Sequence, residues 1–74
     1  MTRPRQPRLL DSVAVTNCPV DESVEVGDVG TVVELLPPDG LEVEILDRDG
    51  RSRYIATLSV TDVLVLNRER TQVA

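Results

Sequence analysis

Arg48, Arg51, Arg53 and Tyr54 form the only basic and aromatic cluster in the body of this 74-residue chain. Arginine and tyrosine commonly anchor protein interfaces, because each joins polar reach to a large contact area. A nucleic-acid reader would need more stacking rings and more positive charge than one tyrosine and three arginines supply. Glu42 and Glu44 lie just upstream, two residues apart, a spacing that puts both carboxylates on one side of an extended strand. Together with Asp47 and Asp49 they could ligate a hard cation or share a proton as an acid/base pair. Neither chemistry is expected. Asp47-Arg48-Asp49-Gly50 lacks the longer acidic spacing of a calcium loop, Arg48 competes for the carboxylates, and no nucleophile accompanies them. The simpler account is a solvated face on which the arginines pair with Asp47, Asp49 and the glutamates. Glu42, Glu44, Arg51, Arg53 and Tyr54 are the candidate partner-binding residues.

Two other features are chemically suggestive and structurally ordinary. Cys18 would need a nearby cation or a helix N-terminus to become a reactive thiolate, and Asn17, Pro19, Asp21 and Glu22 offer neither. Gly27-Asp28-Val29-Gly30 could cradle a phosphate on backbone N–H groups. A phosphate loop, however, opens a helix and carries a lysine, whereas here a β-branched run follows and the nearby charge is Asp28. The chain contains no histidine, which excludes histidine triads and histidine zinc sites. No catalytic residue, metal or cofactor is expected.

The elements that position these residues follow from alternation and turn chemistry. Val13 and Val15 alternate with small or polar neighbours in a first strand between Leu9 and Thr16. A long loop stiffened by Pro19 then runs to about Val26. Gly27, Asp28 and Gly30 are read as a structural turn, followed by a second strand from Thr31 to Leu36. Pro37-Pro38-Asp39-Gly40 suits a type I turn and bulge. Leu41, Val43 and Ile45 then alternate with Glu42 and Glu44, the clearest two-residue period in the chain. Asp49-Gly50 marks a hairpin, Ser52 to Leu58 a fourth strand, Ser59 to Asp62 a short helical or 3₁₀ step, and Val63 to Leu66 a last strand. The predicted core is Val13, Val15, Val32, Val43, Ile45, Ile55 and Leu64. Gly40 and Gly50 complete the predicted turn positions.

The predicted fold is all-β, a small five-stranded SH3-like (KOW-like) barrel. An OB-fold would need a helix between the third and fourth strands, and there is no room for one. Thirteen valines and no Phe or Trp agree with a pleated aliphatic core. Three units are expected: a flexible Arg/Pro-rich arm over 1–8, the barrel over 9–67, and a frayed polar tail over 68–74. The net charge of −5 is uneven: Arg3, Arg5 and Arg8 give the arm +3, while Leu9 to Asn67 carries −9. An acidic body repels phosphate backbones and favours basic partners. A single cysteine, no membrane-length apolar run and no secretory leader point to the cytoplasm.

The spacing Gly27-x-x-Gly30-x-Val32-x-x-Leu35 is similar to the KOW motif of SH3-like barrels in ribosomal and transcription-elongation proteins. A wider pattern is more specific: Leu10-Asp11-x-Val13-Ala14-Val15, the block from Gly27 to Glu34, the Pro-x-Gly turn, Glu42-Val43-Glu44-Ile45 and Asp49-Gly50, in that order. From about Leu9 to Leu66 the chain resembles the short bacterial proteins of the domain of unknown function 4926 family. The resemblance implies a small SH3-like barrel, no established catalytic residue, and a role as a small partner of another gene product, antitoxin- or immunity-like proteins included. The expectation is therefore a non-enzymatic, acidic protein-binding module that binds or regulates a larger protein. The alternatives are a KOW-like accessory factor for RNA or the ribosome, and an accessory subunit of an enzyme complex.

Overall fold

The computed structural model describes residues 6–20 and 22–66. Arg3 and Arg5 of the expected arm and the whole expected tail lie outside them. Five strands form one sheet: β1 (Ser12–Val15), β2 (Val29–Leu36), β3 (Gly40–Leu46), β4 (Ser52–Ser59) and β5 (Val63–Val65). All pairings are antiparallel, and the strand order is β4-β3-β2-β1-β5. Apart from one 3₁₀ turn, Val60–Asp62, the described residues contain no helix. None is long and apolar enough to cross a membrane.

The alternation in β3 is realised fully: Leu41, Val43 and Ile45 are buried, while Glu42 and Glu44 lie on the opposite, outer face. Val13, Val15, Val32, Ala56 and Leu58 complete the strand part of the core, and Val24 pins the long β1–β2 loop onto it. Burying an aliphatic side chain of this size stabilises the fold by about 1.5–3 kcal/mol.

Two predicted core residues are not buried. Ile55 is 54% exposed and Leu64 55%. Directly opposed residues in an antiparallel pair share a face. Ile45, Val43 and Leu41 oppose Tyr54, Ala56 and Leu58, so those three point inward and Ile55, opposite Glu44, points outward. In β5 it is Val65 and Val63 that oppose the buried Val13 and Val15, which leaves Leu64 on the outer face opposite Ala14.

Gly30 also differs from expectation. It is not in the turn but inside β2, opposite Ile45 on one side and Val13 on the other. Positive φ occurs at Gly27 (98°) and Gly50 (84°), with open space around each. Gly30 is required for a different reason: a Cβ there would lie 2.5 Å from the Glu44 carbonyl oxygen and 2.7 Å from Val43 Cγ1. The link between β2 and β3 contains a cis Pro37–Pro38 peptide bond where a type I turn was expected. The register irregularity of this hairpin lies between Val32 and Glu34, inside β2.

The 3₁₀ turn is capped at both levels. Ser59 Oγ accepts from the Thr61 amide at 3.2 Å, and the Asp62 carboxylate accepts from the Ser59 amide at 2.9 Å. The same buried carboxylate accepts from Asn17 Nδ2 at 2.9 Å, and the Asp62 carbonyl accepts from the Thr16 and Asn17 amides. Asp62 thus ties the end of β1 to the approach to β5.

Candidate functional site

The β1–β2 loop and the start of β4 meet at Asp28. Its carboxylate accepts from the Glu25 amide at 2.9 Å, closing the turn before β2, and from Arg53 Nη2 at 3.2 Å. Arg53 sits where the β3–β4 register slips, since Ile45 opposes Tyr54 while Leu46 opposes Ser52. The slip leaves Arg53 without a cross-strand partner. Its guanidinium lies 5.5 Å from the centroid of the Tyr54 ring. Such a contact is worth about 0.5–1 kcal/mol at an exposed site. The accompanying ion pair has a half-exposed arginine, so its contribution lies at the low end of about 0–1 kcal/mol.

Tyr54 points inward beside the core. Its hydroxyl oxygen is covered and has no hydrogen-bond partner among the described residues. Burial pushes the phenol above its ordinary value of 10.0; Arg53 opposes this, and Asp28, Glu22 and Cys18 add to it. Next to the Arg53–Asp28 pair lies a shallow cleft of about 430 Å³, whose charged lining residues are Asp28, Asp47, Arg48 and Arg53.

The expected pairing of the arginines with Asp47, Asp49 and the glutamates does not form. Arg53–Asp28 is the ion pair seen among the described residues. Asp47 instead accepts from the Asp49 amide at 2.9 Å and the Arg51 amide at 3.0 Å, so its carboxylate organises the hairpin turn. Arg51 contributes that amide and leaves its side chain exposed. No group of three or more acidic or cysteine residues among those described is placed to hold a metal ion. Cys18 is exposed on the β1–β2 loop.

Glu42 and Glu44 belong to a separate surface, the outer face of β3. Glu42 accepts from Thr57 Oγ1 at 3.2 Å and lies directly opposite Glu34 of β2. Glu44 is flanked by Thr31 and Ile55. The five candidate residues therefore divide: Arg53 and Tyr54 act together with Asp28, Arg51 serves the hairpin, and the two glutamates form an acidic row with Glu34. Sequence reasoning placed Asp28 in the turn but missed its bridge to Arg53, because the partner lies 25 residues away and no local spacing signals it. It also missed Asn17 and Asp62, coupled across 45 residues.

No significant match to a curated protein or to a solved structure was found. The family model of DUF4926, a domain of unknown function, matches residues 9–65, the stretch that holds all five strands and both surfaces just described. The chain belongs to the DUF4926 family.

Proposed function

We propose that this chain is a non-enzymatic protein-binding module of the cytoplasm, built as a small SH3-like barrel, and that it binds or regulates a larger protein through its acidic outer face. The barrel reading is supported by the strand order, the long first loop and the single 3₁₀ turn between the last two strands. The observation that carries the binding reading is the uncompensated acidic row. Glu34 and Glu42 stand directly opposed, Glu44 is two residues away, and no arginine among the described residues answers them. Opposed like charges weaken a sheet, and a basic partner would relieve that repulsion. Three other carboxylates have structural roles: Asp28 is held by Arg53 and a turn amide, Asp47 by two amides, and Asp62 by the cap and Asn17.

The test is capture of partners by the immobilised full chain, identification by mass spectrometry, and a binding titration with the purified partner. Replacing Glu42 and Glu44 by Gln weakens that partner's affinity in this reading. Raising salt does the same, because exposed charges are screened beyond roughly 8–10 Å at physiological ionic strength. In parallel, single- and double-stranded RNA is titrated at low salt. Sub-micromolar RNA binding that survives removal of Met1 to Arg8 would replace this reading with the KOW-like one.

A further inference from the structure

β4 is an edge strand. One side is laddered to β3 from Ser52 to Ser59, and no described segment pairs with the other. In an antiparallel ladder alternate residues direct their N–H and C=O groups away from the partner, so β4 presents a row of open donors and acceptors. Proteins usually blunt such an edge with shortness, lysine, proline, inward charge or a bulge. The other edge, β5, is only three residues long. β4 has eight, and from Tyr54 to Ser59 it carries neither charge nor proline. Its one irregularity is confined to the beginning, at Arg53. Ile55 and Thr57 stand exposed on the outer side of this edge.

The charge beside the edge selects what can fill it. A strand added to β4 would lie two strand spacings from β3, roughly 9.5 Å. A lysine or arginine on that strand can cross the short Thr57 side chain toward Glu42 and Glu44. A second copy of this chain fits less well, because it would bring its own acidic row and a net charge of −5. We infer that the open edge of β4 takes an extended segment of a partner protein in which Lys or Arg alternates with aliphatic residues. The cations lie on the outer side toward Glu42 and Glu44, and the aliphatic residues on the inner side beside Tyr54. Main-chain hydrogen bonds hold the segment, and the acidic row sets the sign of its side chains. This rests on the protein-binding reading and gives it a partner chemistry.

The experiment titrates the full chain into fluorescein-labelled synthetic peptides and follows anisotropy. The first probe is a seven-residue peptide alternating Lys and Val; the second replaces each Lys with Glu. Two more carry N-methyl groups on the backbone nitrogens of one edge or of the other. The inference expects the Lys–Val peptide to bind, the Glu–Val peptide to bind at least about tenfold more weakly, and E42Q/E44Q to cost about fivefold or more. One N-methylated peptide should lose binding while the other keeps it, because only one peptide edge faces β4. Equal effects of the two N-methyl patterns would reduce the binding to charge attraction and overturn the inference. So would a dimer, seen by sedimentation, that excludes the peptide. No peptide binding, alongside a captured partner that still needs Glu42 and Glu44, would overturn the edge proposal and leave the protein-binding reading standing. RNA binding in place of any protein capture would overturn both.

Discussion

β3 and β4 are neighbours of nearly equal length, seven and eight residues, yet their sequences read very differently against the structure. β3 is paired on both sides, and its alternation of aliphatic and acidic residues maps without error onto an inner and an outer face. β4 is paired on one side, and its most aliphatic residue, Ile55, faces outward while Ala56 is buried. The difference lies in what fixes the phase. In β3 the side chains themselves declare it. In β4 it is imposed by the register with β3 and by the slip at Arg53, and the local sequence Tyr-Ile-Ala-Thr-Leu alternates too weakly to overrule either.

The sharpest test of that contrast is a pair of substitutions. Ile45→Ala removes a fully buried side chain and should cost about 2–5 kcal/mol. Ile55→Ala, on the adjacent strand, should change stability by no more than about 0.5 kcal/mol. Urea titrations of both variants check this. Equal losses would put Ile55 back in the core and erase the distinction between the strands.

A second comparison separates close packing from turn freedom. Gly30→Val drives a branched side chain into the β3 backbone at Glu44, and overpacking of this kind costs about 1–3 kcal/mol or more. Gly50→Asn, in the β3–β4 hairpin, puts its Cβ in open space and needs a positive φ that asparagine tolerates. The melting temperature of the first variant should fall well below that of the second. Matching melting temperatures would show that β2 and β3 are not packed as closely at Gly30 as described.

How much was legible follows from these same residues. Strand number and the core of β1 and β3 depend on local spacing, so Val13, Val15, Val43 and Ile45 could be read directly, whereas Gly30 and Gly40, read as turn positions, lie inside β2 and at the start of β3. The face of Leu64 could not, because β5 takes its phase from β1, some fifty positions earlier in the chain. Gly30 was legible as essential but not for its cause, since a close approach to another strand leaves the same mark as a turn. At the candidate site, Arg53 and Tyr54 stood out by type alone. Their link to Asp28 did not, because ion pairing across the fold has no periodicity.

A smaller effect is expected at Tyr54, the inward residue that begins the uncharged run of β4. Its covered hydroxyl has no partner among the described residues, so Tyr54→Phe should be neutral or stabilising by up to about 1 kcal/mol at pH 7. Because burial raises the phenol above 10.0, the unfolded chain ionises first on titration with base. The stability associated with this group is therefore intact below pH 10.0 and is lost as pH rises through the higher folded value. The Phe variant should lack that loss. Tyr54 is the chain's only tyrosine, and there is no tryptophan, so an absorbance titration reads its ionisation without interference. A midpoint at or below 10.0 would mean the hydroxyl is solvated.

The central claim is that β4 offers an open edge to a basic extended segment, whereas β3 is closed on both sides. Amide hydrogen exchange followed by NMR on the full chain tests it directly, first alone and then with the Lys–Val peptide. In the free protein, amides along β3 should be uniformly slow, while those along β4 alternate between slow and fast with a period of two. Adding the peptide should slow the fast set of β4 and leave β3 unchanged. Uniform protection of β4 in the free chain, or peptide binding that leaves the fast set fast, would contradict the account.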